Sequence, residues 1–219
     1  MKNEQIGKSK LNIKKIAIIG LVITALCIGI MFIIRRDASS IPTTSEIDLS
    51  FSNWEVIGAG TGRSISEVDD YIIIYDNYVG KDVQATLDVG SIIRGTLKFQ
   101  VQTPNPDWDN AFHFELLSGE DVIITITRYK SSGKWYFQHS NGAYILIQEK
   151  DLNWHSIEIS FEINGDNSVV SINVDGNVKI DSLVFNTVKL NINSIRIRSG
   201  KYFAPNLTYL KLEELIKFN

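Results

Sequence analysis

Two neighbouring residues near the middle of the chain, together with an aspartate in the next hairpin, have the types from which catalytic sites are built. Trp154 and His155 are adjacent, and Asp175 follows further along. A histidine can act as a general base, a carboxylate can orient it, and a tryptophan ring can stack on a sugar. Because the surrounding residues alternate between apolar and polar, these side chains must first be assigned to the faces of strands.

The alternation separates the two neighbours. His155 shares a face with the apolar Ile157, whereas Trp154 lies on the opposite face. We expect a structural histidine, hydrogen-bonded to a nearby backbone group, since no nucleophile or acid partner is in view. Asp175-Gly176 is a turn signal and needs no further role. The alternation leaves the role of Trp154 undecided: it is either an exposed sugar-stacking ring or a ring buried by a bulge or by sheet curvature.

A second candidate site is the segment TPNPDWDNA, residues 103–111. Asp107, Asp109 and Asn110 supply hard oxygens beside Trp108, which is the ligand chemistry of calcium. Calcium takes six or more oxygen ligands, and two carboxylates make only part of such a shell. The alternative is a turn whose polar residues face water, and we favour it over a metal site.

Aromatic residues form the third candidate, because their faces stack on sugar rings. The set has Trp108, Tyr129, Trp135, Tyr136 and Tyr144 as members. Most aromatics in a β-sandwich belong to its core, and strand parity does not place all five. The residues predicted to bind a ligand are Trp108, Trp135, Tyr136, Tyr144 and Trp154.

The elements that must position these residues are strands. GTLKFQVQ alternates strictly, and similar runs follow one another to the C-terminal end. Turn signals separate the runs, and no amphipathic helix of three turns is predicted after residue 37. The pattern indicates an all-β sandwich or barrel. The turn signals are Ser118-Gly119, Ser132-Gly133, Asn141-Gly142, Asn164-Gly165 and Asp175-Gly176.

One pattern also carries a family resemblance. It reads W-H-x-I-x-I-x-F, a turn, then V-x-I-x-V-D-G, and it runs from Trp154 to Gly176. It resembles the laminin G-like branch of the concanavalin A-like lectin/glucanase superfamily, over residues 51–219. The resemblance implies a jelly roll of two antiparallel sheets, a fold used outside cells to bind glycans or other proteins. It is hardly specific for one function.

Some glucanases share that fold, so an enzyme has to be considered. They resemble one another in an E-x-D-x-x-E strand, whose two glutamates flank the scissile bond as nucleophile and general acid. Here EVDDYI has Glu67 and Asp69, but Ile72 occupies the second glutamate position. Glu115 and Glu158 could meet across a sheet, although solvent-facing glutamates are the default on polar strand faces. We therefore expect no enzymatic activity.

The N-terminal part differs in composition from the rest. Residues 16–34 form an uncharged, apolar run behind a head with five lysines, and Arg35 and Arg36 follow it. Nineteen helical residues span roughly 28 Å, which matches the apolar thickness of a bilayer. A cleaved signal peptide is the alternative, but its apolar region is usually shorter. The only cysteine, Cys27, lies inside this run, so the domain that follows must fold without disulfides.

The charge pattern predicts an orientation and a location. More basic residues precede the apolar run than follow it, which favours a cytoplasmic N-terminus and an extracellular C-terminal domain. The predicted organisation is a basic cytoplasmic head (1–15), a transmembrane helix (16–34), a tether (35–50) and the β-sandwich (51–219). Asn206, in the sequon Asn206-Leu207-Thr208, is a glycosylation site only if the host cell glycosylates exported proteins.

The net charge also limits the classes of partner that the domain can bind. Up to Arg36 the chain has seven basic residues and one acidic residue, so residues 37–219 carry a net charge of −9. Such an acidic domain is a poor partner for phosphate backbones, and we expect no nucleic-acid binding. The function we expect is a membrane-anchored cell-surface module that recognises a glycan. The alternatives are a structural or interaction subunit with an extracellular protein partner and, more distantly, a glycoside hydrolase.

Overall fold

The computed structural model describes residues 44–78, 80–104, 112–129, 132–140, 142–200 and 206–218. The predicted transmembrane helix, residues 16–34, lies outside these ranges. Within them, no helix has the length and apolar character needed to cross a membrane.

The described chain is built almost entirely from strands, as the alternation predicts. One short 3-10 helix, Phe51–Asn53, is the exception among the described residues. The strands are β1 (Thr44–Glu46), β2 (Glu55–Ile57), β3 (Arg63–Val68), β4 (Tyr71–Asp76), β5 (Gln84–Ile92), β6 (Arg94–Gln102), β7 (Phe112–Ser118), β8 (Asp121–Arg128), β9 (Trp135–His139), β10 (Ile145–Gln148), β11 (His155–Glu162), β12 (Ser168–Val174), β13 (Asn177–Phe185), β14 (Ile192–Ser199) and β15 (Asn206–Phe218).

These strands form two antiparallel sheets. In the first sheet the order is β13-β12-β11-β6-β15-β4-β3, and β1 pairs with the C-terminal end of β15. In the second sheet the order is β10-β9-β8-β7-β14-β5-β2. The chain crosses between the sheets several times, as in a jelly roll, so the central strands of each sheet have partners that are distant in sequence.

The core lies between the sheets, where each strand contributes every second residue. In β11 the buried residues begin with His155 and continue with Ile157 and Ile159. The rings of Phe99, from the first sheet, and Phe114, from the second, stack with centroids 4.2 Å apart. This contact joins the two layers at their centre.

The predicted Asp175-Gly176 turn is confirmed. Val174 pairs with Asn177, so only two residues join β12 to β13. Asp175 has φ of 53° and Gly176 has φ of 74°. Positive φ at both positions is the geometry of a type I′ turn, which suits the twist of a hairpin.

The strand boundaries at the start of the domain differ from the expectation. The predicted tether includes Thr44–Glu46, yet these residues form β1 and pair with Ile216–Phe218. Ile47 continues the contact by donating its amide hydrogen to the carbonyl of Leu215. The short β1 has no periodicity of its own to detect, and its pairing depends on a strand at the other end of the domain.

Candidate functional site

The outer face of the second sheet carries an unusual concentration of polar side chains. In β7 the residues Phe112 and Phe114 enter the core, so His113 and Glu115 lie on the opposite side of the sheet. β14 alternates in the same way and places Arg196 on that outer face. The antiparallel pairing of β7 with β14 puts Arg196 directly opposite Glu115.

The strand register arranges this outer face in two rows that cross the sheet. The first row runs through Glu55, Thr86, Arg196, Glu115, Thr125 and Gln138. The second runs through Ile57, Gln84, Arg198, His113, Thr127, Tyr136 and Leu146. All but two of these thirteen side chains are polar or carry a hydroxyl, so the face offers many hydrogen-bonding groups to a ligand.

Glu115 is the most buried ionisable group of the face, with 2% of its side chain exposed. Nε of Arg196 donates to one carboxylate oxygen at 2.7 Å, and Nε and Nη2 of Arg198 donate to the other at 3.0 and 2.9 Å. Burial by itself would raise the pKa of Glu115, but the hydrogen bonds and charges of Arg198 and Arg196 lower it overall. The carboxylate is therefore ionised at neutral pH.

Glu115 and Glu158 do not meet across a sheet, and of the two only Glu158 is partly exposed, as expected for a polar strand face. Glu115 belongs to β7 of the second sheet and is buried by its two arginines, whereas Glu158 belongs to β11 of the first sheet. Nδ2 of Asn173, on the adjacent β12, donates to Glu158 at 3.3 Å. The two glutamates therefore lie on different sheets.

Glu115, Arg196 and Arg198 are here called the Glu115 cluster. His113 lies beside this cluster and is neutral. Burial is the main cause that lowers its pKa to about 4, and the positive charge of Arg198 lowers it further. The hydroxyl of Thr127 donates to the carbonyl of Phe112 at 3.0 Å and contacts Nδ1 of His113 at 3.1 Å. Since a hydroxyl has one hydrogen, Nδ1 must donate to Thr127, which leaves Nε2 as the acceptor nitrogen.

Three tyrosines form an aromatic cluster at the edge of the same face. The ring centroids of Tyr129, Tyr136 and Tyr144 are 5.3 to 6.2 Å apart, and each pair is edge-to-face. Tyr144 is 46% exposed, and Tyr129 equally so. Burial and then the neighbouring Tyr129 raise the pKa of Tyr144, so its hydroxyl keeps its proton at neutral pH. The cluster offers both ring surface and hydroxyl groups.

A cavity of about 250 Å³ is lined by Tyr144 from the tyrosine cluster and by Glu115 and Arg198 from the Glu115 cluster. Its size suits a single small polar ring. Nε2 of Gln138 donates to the carbonyl of Gly142 at 2.9 Å, which ties the β9–β10 connection to the cavity wall. The lining residues are His113, Glu115, Val122, Thr125, Gln138, His139, Ser140, Tyr144 and Arg198.

The structure separates the aromatic residues predicted to bind a ligand. Tyr136 and Tyr144 lie together in the tyrosine cluster. Trp135 does not: it is 1% exposed and packs edge-to-face on Phe112 in the core, with centroids 5.9 Å apart. Its prediction as a ligand-stacking ring is wrong, because Trp135 and Tyr136 point to opposite faces of β9.

Trp154 lies on the other sheet. The residue is 36% exposed, and its ring centroid is 5.3 Å from that of Tyr71 and 6.4 Å from that of Tyr209, on the outer face of the first sheet. Nζ of Lys211 lies 5.5 Å from the centre of the Tyr71 ring. Trp154 is thus partly exposed, but it is not part of the cavity described above.

The remaining predicted site residues lie outside the described part of the chain. These are Trp108, Asp107, Asp109 and Asn110, so the calcium site stays a prediction. Asn206 begins β15, but its side chain is outside the description. Among the described residues, no group of three or more histidine, cysteine, aspartate or glutamate side chains is placed to hold a metal ion.

His155 is buried, as its parity predicts, but its partners differ from the expected backbone group. Nδ1 lies 2.8 Å from a carboxylate oxygen of Asp175, and Nε2 lies 2.7 Å from one of Asp151. The second oxygen of Asp175 accepts the amide hydrogen of Ser156 at 2.9 Å. Asp175 therefore joins the β12–β13 turn to the start of β11, and the trio has a structural explanation.

Sequence reasoning missed the Glu115 cluster and His113. The local signal was present, because FHFE in β7 and SIRIRS in β14 each place charged or titratable residues at every second position. Alternation assigns such residues to one face, but it cannot state which strands are neighbours. Glu115 and Arg196 are 81 residues apart, and only the strand order joins them.

No protein-family model matches the sequence, and no curated protein sequence is similar to it. Solved structures are similar in fold. A sialidase superposes with a TM-score of 0.64 and 10% identity over 78% of this chain. That match covers only 17% of the sialidase, so this chain corresponds to a small part of it.

Two further structures match over most of both chains. The apo Crh5 transglycosylase has a TM-score of 0.54 and 11% identity, over 83% of this chain and 85% of the enzyme. A mutant of the alginate lyase Aly36B, in complex with alginate trisaccharide, has a TM-score of 0.51 and 13% identity, over 82% and 100%. At such identities the likeness concerns the fold alone. Together with the two antiparallel sheets, it supports a concanavalin A-like jelly-roll fold for the described domain.

Proposed function

We propose that this protein is a carbohydrate-binding module and that the glycan binds on the outer face of the second sheet. The observation that carries the proposal is the cavity that brings Gln138, His113, Glu115 and Arg198 beside Tyr144. Sugars present hydroxyl groups at their edges and C–H groups on their faces. A site with hydrogen-bonding side chains next to exposed aromatic rings complements both.

Two of the similar structures support a glycan as the ligand, because each contains a bound saccharide. One is an alginate lyase in complex with alginate trisaccharide, and another is a transglycosylase in complex with NAG. Those ligands belong to those proteins. The proposal for this chain depends on its own cavity and tyrosine cluster.

We further propose that the module lies at the cell surface, held by the apolar segment 16–34 with its N-terminus in the cytoplasm. The support is in the sequence: an uncharged run long enough for a bilayer and an excess of lysines before it. Membership of the laminin G-like branch, from the Trp154–Gly176 pattern, is part of the same proposal. Protease treatment of intact cells tests the location, because an intracellular domain would survive it.

The proposed role is binding and not catalysis. A retaining or inverting glycosidase needs a protonated carboxylic acid as general acid. The two arginines lower the pKa of Glu115, which therefore has no proton to give at neutral pH. His113, with a pKa of about 4, is a weak base at that pH. Both observations favour a site that holds its ligand by fixed hydrogen bonds.

The test is a glycan array probed with the full chain in detergent, with and without calcium. We expect at least one glycan to be retained, and we expect Tyr144→Ala to weaken it about tenfold through lost ring contact. Trp154→Ala is the matched control, since it removes a partly exposed ring from the other sheet. A chain that retains no glycan and co-purifies with a stoichiometric protein partner would instead be an interaction subunit. An effect of Trp154→Ala in place of Tyr144→Ala would move the site to the first sheet.

A further inference from the structure

The two arginines of the Glu115 cluster use their guanidinium groups differently. Arg198 donates from Nε and Nη2 to Glu115, and its Nη1 lies 3.8 Å from a carboxylate oxygen of Asp82. Arg196 donates to Glu115 from Nε alone. In the described part of the chain, neither Nη1 nor Nη2 of Arg196 donates a hydrogen bond, and Glu115 is the one residue that forms an ion pair with Arg196.

Those two nitrogens are accessible. The side chain of Arg196 is 17% exposed, and neither nitrogen is among the buried polar atoms that lack a partner. The other acidic residue of this cross-strand row is Glu55, which is separated from Arg196 by Thr86. Glu55 forms no ion pair with Arg196. The Nη1–Nη2 edge of the guanidinium is therefore open to a ligand.

Glu115 does not depend on that edge. Arg198 alone satisfies one carboxylate oxygen with two hydrogen bonds, and Nε of Arg196 satisfies the other. The bond from Nε also fixes the plane of the Arg196 guanidinium before any ligand arrives. A planar group held in advance loses less conformational entropy on binding, so the open edge is well prepared for a planar anion.

A carboxylate is the group that matches this edge, because two parallel N–H bonds reach its two oxygens. Arg196 does not line the proposed sugar cavity itself, but it is the cross-strand neighbour and hydrogen-bond partner of Glu115, which does. We propose that the glycan carries a carboxylate, as in a uronic acid, which Arg196 binds through Nη1 and Nη2 while the sugar ring occupies the cavity.

This inference rests on the proposed glycan binding and names the class of sugar. The charges at the site sum to zero, because the two positive charges of Arg196 and Arg198 are balanced by the negative charges of Glu115 and the neighbouring Asp82. A preference for an acidic sugar therefore cannot arise from net electrostatic attraction. The preference comes from the geometry of the two N–H bonds, so the site distinguishes a carboxylate from a neutral group on a sugar of the same shape. A bidentate pair of charge-assisted hydrogen bonds corresponds to a preference of about tenfold or more.

The experiment compares each member of a panel of polyuronates with its own carboxyl-reduced, neutral derivative. The full chain in detergent is titrated with both by isothermal calorimetry at fixed ionic strength. We expect the affinity for at least one polyuronate to exceed the affinity for its reduced derivative by about tenfold or more. Equal binding of both forms would overturn the carboxylate inference and keep glycan binding, whereas binding of neither form to any polymer would count against the proposed function itself.

Variants locate the contact. Arg196→Gln should abolish the preference, so that the polyuronate and its reduced derivative bind the variant with equal affinity. Arg196→Lys keeps the charge but loses the bidentate edge, so it should recover only part of the preference. Arg94→Gln is the matched control, because it removes one exposed cation from the first sheet. A preference that survives Arg196→Gln would overturn the assignment to this residue.

Two controls cover the other outcomes. Thermal unfolding shows whether Arg196→Gln remains folded; if it does not, the comparison of the two polymers on the unchanged chain still decides the inference. Dextran sulfate tests for general anion binding. If it competes as well as the polyuronate, the site is not selective for carboxylates and the inference is wrong.

Discussion

Nε of Arg196 and a carboxylate oxygen of Glu115 form a hydrogen bond of 2.7 Å between neighbouring strands of the second sheet. The same carboxylate is almost completely buried, although it lies on the side of the sheet that faces away from the core. A buried charge is tolerated only when it is paired, so this contact and those of Arg198 hold the outer face together. They also give the proposed binding site its fixed geometry.

Removing the buried carboxylate should destabilise the domain. Glu115→Ala leaves Arg196 and Arg198 without their shared partner, and we expect the free energy of unfolding to fall by about 3 to 5 kcal/mol. Chemical denaturation measures the change. Glu162→Ala is the control: it removes an exposed carboxylate that lies 3.9 Å from Arg94, and it should cost about 1 kcal/mol or less. Similar losses in both variants would show that the Glu115 cluster has no special role in stability.

The stability should depend on pH through His113. Its pKa is lowered to about 4 from an ordinary value of 6.5. Between these values the unfolded chain binds a proton that the folded chain does not, so stability is lost as the pH falls from about 6.5 to about 4. The loss from this residue is roughly 3 kcal/mol at most.

Comparison with His113→Asn isolates that contribution. The groups around His113 are Arg198, Glu115, Asp82 and Arg196, and all four remain in the variant. The lowered pKa of Glu115 adds a further loss on acidification in both proteins. We expect the variant to have the shallower slope of unfolding free energy against pH between pH 6.5 and 4. Parallel slopes would mean that His113 does not titrate abnormally.

Trp135 and Trp154 should differ strongly in their effect on stability. Trp135 is buried against Phe112, so Trp135→Ala creates a cavity and should cost about 3 to 5 kcal/mol. Trp154 is 36% exposed and lies on the outer face of the first sheet, so Trp154→Ala should cost less than half as much. Equilibrium denaturation of both variants provides the comparison. An equal cost would indicate that Trp154 is as tightly packed as Trp135.

The β12–β13 turn requires glycine at its second position. Gly176 has φ of 74°, so Gly176→Ala forces a Cβ into the left-handed region and should cost about 1 to 2 kcal/mol. No atom lies within 4 Å of the added Cβ, so the cost arises from the backbone and not from a clash. Gly60→Ala is a suitable control, because Gly60 lacks a positive φ and its added Cβ would meet Arg63 at an ordinary 3.6 Å. A thermal shift that is equal in both variants would contradict the requirement.

Much of the fold follows from local patterns in the sequence. Strict alternation in β6, β11 and β12 predicts strands with one buried face, and Asp175-Gly176 predicts the turn from β12 to β13. Parity also placed His155 inside correctly. These predictions succeed because the side chains of a strand repeat every two residues and because turn residues act through their own backbone angles.

The sequence by itself therefore determined which residues share a face of a strand and where the chain turns. It did not determine which strands are neighbours, and the site depends on that choice. Glu115 contacts Arg196 and Arg198 only because β7 pairs with β14, a strand that is distant in sequence. The tyrosine cluster likewise forms only where three separate segments of the chain come together. Periodicity is a local property, whereas strand order and register minimise the free energy of the whole core, so only the tertiary structure decided where the polar site lies.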